Sequence, residues 1–282
     1  MTLRSSRQAM DLKLQFALAP NGKTYIRNQY CHYPFHVCRA QYVDTNPFGL
    51  ATVYLQSCAG GIFEGDRLFC EFHSLSESQA HITTQASTIV HSMEYGSAEQ
   101  YVSIEAEENS FIEYLPDPLI LFPNSNLRSK VVVSMHPTAT VYLADALLIH
   151  DPKNRGNTFS EYHNETKIMD LQGKLLCLDR YHITGDQKSN SYMGVMGNYA
   201  VLGTIVFLSP TDLTHTFCDT LKDLLDAKST AVYAGVSVLP NECGVWVRLM
   251  ASEAFEMRSI MTNLWELGRV NFTGTLPHTR KK

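Results

Sequence analysis

The sequence predicts a mainly β protein. Many short strands are expected, in sheets that pack together or coil into a solenoid-like body, with about two α-helices toward the C-terminus. Three observations predict this. Short runs rich in Val, Ile, Tyr and Thr recur along most of the chain, bounded by turn residues. Near the N-terminus, Leu12, Leu14, Phe16 and Leu18 alternate with Asp11, Lys13 and Gln15, the period of a half-buried strand. Helical spacing of apolar residues is confined to the region after Ser209.

In order, strands are expected at 12–18, 51–56, 101–106, 130–135 and 138–143. Residues 173–183 read as a buried strand around Leu175, Leu176 and Leu178, followed by strands at 199–208, 231–239 and 244–250. Residues 115–122 read as an edge or corner segment, because Pro116 and Pro118 remove backbone donors and disfavour helix before them. Ser209-Pro210-Thr211-Asp212 is a helix start, and Leu213, Phe217, Leu221, Leu224 and Leu225 follow at helical spacing. A second helix is expected from near Ser252, with Glu253 and Glu256 in its first turn, where carboxylates suit the helix dipole. Its stripe of Ala254, Met257, Met261, Leu264 and Gly268 reads as core packing. Many strands followed by a small α/β end complete the expected architecture.

The chain has 282 residues and no Pro/Gly/Ser-rich linker, so a single domain over 1–282 is expected. A net charge of -5, from 23 basic and 28 acidic residues, argues against non-specific nucleic-acid binding. The basic Arg280-Lys281-Lys282 reads as a solvated tail. No apolar run approaches the roughly 20 residues needed to span a bilayer, and Arg4 and Arg7 are followed by no signal-peptide core. Cys31, Cys38, Cys58, Cys70, Cys177, Cys218 and Cys243 are scattered and odd in number. They read as reduced thiols of a cytoplasmic protein, and the sequons at Asn164 and Asn271 as chance matches.

Familiar catalytic patterns are absent. Asn21-Gly22-Lys23-Thr24 imitates the end of a phosphate loop, but Ala17 stands where its first glycine belongs. A β-turn is expected there and no nucleotide is bound by this chain. There is no Gly-x-Ser-x-Gly elbow. The segment 31–38 is the densest in metal-ligand types. Read as extended chain, it puts Cys31 and His32 on opposite faces. His36 and Cys38 share a face, but two ligands do not close a structural site.

Three runs in fixed order carry more information. They are Ala59-Gly60-Gly61-Ile62-Phe63-Glu64-Gly65-Asp66, then Thr83-Thr84-Gln85-Ala86-Ser87-Thr88, then Glu113-Tyr114-Leu115-Pro116-Asp117-Pro118-Leu119-Ile120-Leu121-Phe122. Gly60, Gly61 and Gly65 mark tight turns or bulges. Asp66 reads either as a turn carboxylate that accepts backbone N–H bonds or as the wall of an ion path. His81, Thr83 and Gln85 share one face of a strand, and Ile82, Thr84 and Ala86 the other.

In series these runs resemble the urease accessory protein UreD (UreH) family. Weaker echoes follow at Gly235-Val236-Ser237-Val238-Leu239-Pro240, Val247-Arg248 and Leu264-Trp265-Glu266-Leu267. The resemblance implies a scaffold, not an enzyme, that helps deliver nickel to urease. Such a protein binds a helical UreF-type protein, which recruits a UreG-type GTPase, and the assembly docks on apo-urease. Nickel would be held transiently and passed on, through an internal tunnel in the UreD-type subunit. By residue type and place in the motifs, Gly61, Gly65, Asp66, His81, Thr83, Thr84, Gln85 and Asp117 are the candidates for such a path. Asp66, His81, His36 and Cys38 are the candidates for touching metal. The chain departs from the family at one place. Asp151-Pro152 stands where a Gly-Arg pair is usual, and Asn157 where a Glu precedes the aromatic residue, with Asp151 or Glu161 as substitutes for the lost carboxylate. The alternative expectation is a diverged β-rich metal-binding protein not coupled to urease.

Overall fold

The computed structural model describes residues 10–189, 195–209, 214–227 and 232–280. The alternating N-terminal pattern forms strand β1 (Leu12–Leu18), which turns through Asn21 and Gly22 into β2 (Thr24–Cys31). That turn is the β-turn expected from the imitation phosphate loop: Asn21 Oδ1 accepts the Lys23 N–H at 3.1 Å, and Gly22 has φ +78°. The segment 31–38 departs from the extended reading. A turn at Tyr33–Pro34, with a cis peptide bond, separates β2 from β3 (Phe35–Val37).

From there the chain winds as a solenoid. Strands β4 (Ala51–Ser57), β6 (Gln79–Thr84), β9 (Phe111–Tyr114) and β12 (Thr140–Ile149) lie side by side in parallel in one sheet. Strands β5 (Arg67–Ser74), β8 (Ala98–Ala106), β11 (Asn126–Met135) and β13 (Glu161–Asp170) do the same in the other. Each coil therefore lays one strand on each sheet. Further strands complete both sheets, β1 running parallel to β5 and the others antiparallel to the neighbours they join. β1, β2 and β14 (Leu175–Thr184) flank the second set, and β3, β15 (Val201–Leu208), β17 (Gly244–Ala251) and β16 (Val232–Val238) flank the first.

The inward rows of the two sheets meet as a continuous apolar core that includes Leu12, Leu14, Phe72, Ile82, Ile104, Ile112, Val133 and Val141. A second core lies on the outer face of the β4–β6–β9–β12 sheet. There Phe111, Tyr142, Ile205 and Phe207 pack against helices α2 (Thr214–Asp226) and α3 (Ala254–Thr273). Strand alternation supplies both cores from one strand, since Ile112 enters the first and Phe111 the second.

The corners of the coils are where the three motif runs fold. Strand β6 stops at Thr84 and resumes as β7 (Thr88–Val90); β9 stops at Tyr114 and resumes as β10 (Leu119–Leu121). Pro116 and Pro118 cannot donate to a ladder, so the sheet bends where they stand. Side-chain hydroxyls take over the lost bonds. Thr83 Oγ1 donates to the Leu115 carbonyl at 2.6 Å, and Thr84 Oγ1 accepts the Asp117 N–H at 2.8 Å. The corner segments then pair in parallel with one another, β7 with β10, and β10 with the far half of β12. The residues read as a corner segment are such a segment. Gly61 belongs to the same corner: its φ is +142°, and a Cβ there would stand 2.3 Å from the Ile89 carbonyl oxygen.

The C-terminal helix begins one residue past the expected cap. Glu253 is the N-cap and Glu256 the N3 partner of a capping box, and Gly274 closes the helix in the left-handed region at φ +73°. Its buried stripe is Met257, Ile260, Leu264, Trp265, Gly268 and Arg269, whereas Ala254 is exposed. A short helix, α1 (Gly185–Ser189), was not foreseen. The start signal of the other helix, at residues 210–213, lies outside the described residues.

Close approach of α3 to the sheet depends on Gly268, where a Cβ would meet Phe207 Cε1 at 2.4 Å and Tyr142 Cε2 at 3.2 Å. Gly268→Ala is expected to destabilise the protein by about 1–3 kcal/mol through overpacking. Gly235→Ala, on an exposed strand position with nothing within 4 Å, is expected to be neutral or slightly stabilising. Urea denaturation of the two variants checks both; equal midpoints would contradict the packing argument.

Candidate functional site

Two buried polar assemblies stand out on opposite faces of the β4–β6–β9–β12 sheet. The first lies under α3. Glu113 on β9 and His81 on β6 occupy neighbouring register positions and both point toward the helix, while Ile112 and Ile82 point the other way. Glu113 is fully buried and accepts two bonds from Arg269, Nε to Oε1 at 2.6 Å and Nη2 to Oε2 at 2.7 Å. Trp265 Nε1, one turn earlier on α3, donates to Oε1 at 2.9 Å. His81 Nδ1 lies 2.6 Å from Oε2. Arg269 Nη1 also faces Asp44 Oδ1 at 3.6 Å, and Asp44 in turn binds Arg280 Nη2 at 2.9 Å and the His278 N–H at 2.7 Å. Two carboxylates and two guanidiniums thus balance in the interior, as buried charges must.

Charge and burial set the protonation states here. Burial and the Arg280 cation hold His81 down at about 4, against the pull of Glu113. Burial pushes the Glu113 carboxyl up, but Arg269 and His81 together outweigh it and hold it well below the usual carboxylate range. His81 is therefore neutral near pH 7. As the neutral tautomer that donates Nδ1–H to Glu113, it keeps a lone pair on Nε2, a buried atom with no hydrogen-bond partner. This assembly fastens the helix and the C-terminal tail to the sheet.

The second assembly lies between the two sheets. A cavity of about 320 Å³ opens at the corners of the coils, and all three motif runs line it. Gly60, Gly61 and Ile62 contribute from the first run, Thr84 to Thr88 from the second, and Pro116, Asp117 and Leu119 from the third. The convergence follows from the fold, because the runs are successive corners of one solenoid. Gln85 is held at the rim by the amide of Gln56, which donates to its Oε1. Gln100, Tyr114, Ser129 and Asp145 add polar groups from the strands.

Asp145 is the residue that sequence reasoning missed. It sits on β12 and receives Asn164 Nδ2 at 2.7 Å, Tyr181 OH at 3.2 Å and Tyr162 OH at 3.4 Å. Burial pushes its carboxyl up from the usual range, and the tyrosine hydrogen bonds pull it back. Among the described residues no cation pairs with it, since the nearby Arg248 is held by Asp179 at 2.6 Å. A smaller void of about 20 Å³ adjoins the cavity at Asp145 and is lined also by Asn164, Thr166, Thr204 and Trp246. In the sequence Asp145 stands within an apolar strand, Val141 to Ile149, and that lone carboxylate was the available signal. Asn164, whose amide is spent on Asp145, is buried and so is no glycosylation acceptor.

Of the sequence-derived candidates, Gly61, Thr84, Gln85 and Asp117 line the cavity. Thr83 is buried behind it, and His81 belongs to the ion network under α3. Gly65 has φ +84° in the turn where Asp66 Oδ2 accepts the Phe63 N–H at 2.8 Å, the turn role among the two readings of that carboxylate. His36 is exposed and bonded through Nδ1 to Gln56 Oε1 at 2.7 Å, and Cys38 is half-buried just past β3. At the departure from the family pattern, Asp151 accepts the N–H groups of Lys153, Arg155 and Asn157 and organises its own loop. Among the described residues, clusters with three donors suited to a metal are Glu161 with His163 and His182, and His73 with Glu105 and Glu107.

Arg269→Met leaves Glu113 buried with only the Trp265 N–H and a neutral imidazole as partners, and is expected to cost about 3–5 kcal/mol, read by urea denaturation. Glu113→Gln combined with Arg269→Met is expected to recover part of that loss. The pH dependence has a definite sign. His81 titrates at about 4 in the fold and near 6.5 when exposed, so the unfolded chain binds the proton first. Stability is therefore expected to fall as pH drops from 6.5 toward 4, by up to about 3 kcal/mol from this group. His81→Gln flattens the curve in that window; an unchanged slope would refute the assignment.

Comparison with known proteins gives the family. The family described as UreD urease accessory protein matches residues 8–281. Urease accessory protein UreD 1 of Pseudomonas syringae pv. syringae (strain B728a) is 38% identical over 273 residues, covering 95% of this chain and 94% of that protein. Urease accessory protein UreD 1 of Pseudomonas syringae pv. tomato (strain ATCC BAA-871 / DC3000) is 36% identical over 269 residues, with 95% and 94% covered. Urease accessory protein UreD of Photorhabdus laumondii subsp. laumondii is 30% identical over 248 residues, covering 86% of this chain and 77% of that protein. These are accessory proteins rather than enzymes. The mainly β solenoid, the corner motifs and the relatives agree: this chain belongs to the UreD urease accessory protein family.

Proposed function

We propose that this protein is a nickel-delivery scaffold for urease maturation, and that the cavity between its sheets is part of the route the metal takes. Nickel is cargo in this reading, held briefly and released. One observation carries it: the three motif runs and Asp145 surround a single cavity, and that carboxylate has no cationic partner among the described residues.

The chemistry suits transit. A closed set of four thiolate or imidazole ligands would trap a divalent cation. Two carboxylates, with tyrosine hydroxyls, a serine and amide oxygens nearby, offer oxygen donors that bind weakly and exchange. Asp117 and Gln85 stand at the corner end of the cavity, and Asp145 on the strand side. Asp66 and His81 are outside this lining and are not assigned to the route. In the same reading the chain binds a UreF-type protein, is linked through it to a UreG-type GTPase, and docks on apo-urease in the cytoplasm. Nucleotide hydrolysis belongs to that partner, consistent with a phosphate-loop imitation that folds as a β-turn.

The test is reconstitution with the accessory partners, apo-urease, Ni²⁺ and GTP. Asp145→Asn is expected to co-purify with its partners as the wild type does, yet to lower urease activation about tenfold, the loss expected from one removed contact worth about 1.4 kcal/mol. Gln85→Ala combined with Asp117→Asn is expected to act in the same direction. Full activation by Asp145→Asn would sink the cavity route, and failure to assemble with any accessory partner would sink the scaffold reading.

A further inference from the structure

The same two strands that aim Tyr162, Asn164 and Tyr181 at Asp145 present a different set of side chains outward. His163 on β13 and His182 on β14 are directly paired across the ladder, and Glu161 lies two residues before His163 on the same face. The imidazole rings stack with centroids 3.8 Å apart and planes within 10°. His163 Nε2 lies 2.9 Å from Glu161 Oε2, and His182 Nε2 lies 3.6 Å from the same oxygen. All three side chains are half exposed. We propose that Glu161, His163 and His182 form an exchangeable binding site for one divalent transition-metal cation of the nickel and zinc type.

The argument is geometric and chemical. Such cations hold imidazole nitrogen and carboxylate oxygen at about 2.0–2.2 Å, so neighbouring ligand atoms sit about 3 Å apart. The two separations from Glu161 Oε2 bracket that spacing, and the three donor atoms lie within 4.8 Å of one another. Small side-chain adjustments bring all three to one ion, each imidazole ligating through Nε2 as the tautomer that carries its proton on Nδ1. Two imidazoles favour a first-row transition metal over calcium or magnesium, which take oxygen shells. Three protein ligands leave the remaining positions to water, so the ion stays exchangeable.

The neighbours set the strength. Arg128 on β11 is in register with His163, and its charge acts on Glu161. It opposes a cation there and keeps binding weak. Lys130, Glu165 and Arg180 on the next rung are already paired with one another. The other cluster differs. Glu107 is committed to the Ser76 N–H and hydroxyl, each at 3.0 Å, and His73 Nδ1 to Gln15 at 3.1 Å. That arrangement reads as a satisfied hydrogen-bond network with one imidazole, and it serves as the control.

The experiment is calorimetric titration of the metal-stripped full-length protein with Ni²⁺ alone. The wild type is expected to bind one equivalent that His163→Gln/His182→Gln loses, with at least tenfold weaker affinity. Glu161→Gln is expected to weaken the same equivalent, Arg128→Gln to tighten it, and His73→Gln to leave it unchanged. Titration with Co²⁺ reports imidazole ligation independently through its visible absorption, which the double variant lacks. Equal thermal midpoints show that the double variant folds. Undiminished binding by a folded double variant overturns the proposal, as does a wild type that binds no Ni²⁺ below millimolar concentration, or a loss seen in His73→Gln instead. Failure of the cavity reading is distinguishable, because Asp145→Asn leaves the equivalent that depends on His163 in place.

Discussion

The bidentate pair between Glu113 and Arg269 is the contact on which the helical layer of this protein depends. A carboxylate on a central strand would be intolerable without a partner, because its desolvation costs several kcal/mol. The fold answers by placing a guanidinium, an indole N–H and an imidazole around it. Those partners come from α3 and β6, so the charge can be buried only when the helix is docked. Asp44 repeats the device for the tail, holding Arg280 and the His278 N–H. The pairing thus makes the position of the C-terminal segment specific, while the apolar stripe of Met257, Ile260 and Leu264 supplies the burial.

The second constraint is coil geometry. Parallel strands alternate between two sheets, so each corner must turn the chain and still satisfy its backbone groups. Proline at the corner forfeits donors, and Thr83 and Thr84 replace what is lost with hydroxyls. Gly61 lets another corner approach the β7 backbone. A solenoid stacks its corners, so turn chemistry that recurs along the chain becomes neighbouring chemistry in space. The cavity opens at these corners, and its polar groups come both from the corners, as Gln85 and Asp117, and from the strands, as Ser129 and Asp145. The three motif runs are thus structural in cause, as corners of one coil.

Strand alternation divides labour across a single layer. On β13 and β14, inward Tyr162, Asn164 and Tyr181 support Asp145, and outward Glu161, His163 and His182 form the surface cluster. On β6 and β9, Ile82 and Ile112 fill the core while His81 and Glu113 hold the helix. A one-residue slip in either ladder would exchange these roles. The ten-residue parallel register of β11 with β13 therefore fixes chemistry as well as packing.

Much was legible in the sequence. Alternation at Leu12 to Leu18 located β1, and β-branched runs located most of the strand positions, because local periodicity reports which face is buried. Proline pairs marked the corner at 115–118, and the order of the three runs pointed to the family. Local pattern has no access to partners distant in the chain. Glu113 and Arg269 are 156 residues apart, and nothing in either neighbourhood announces the pair. His81 carried the type of a metal ligand, but tertiary packing made it a neutral, buried brace for α3. Asp145 looked like one charge in an apolar strand until the fold gathered Asn164, Tyr162 and Tyr181 around it. His163 and His182 lie 19 residues apart and meet only through antiparallel register. The sequence by itself determined the β class, many of the strands, the proline corner and the family, but not strands β2, β5 and β13. Tertiary structure alone decided which carboxylates are paired and which remain open, because desolvation and partner geometry are properties of the assembled interior.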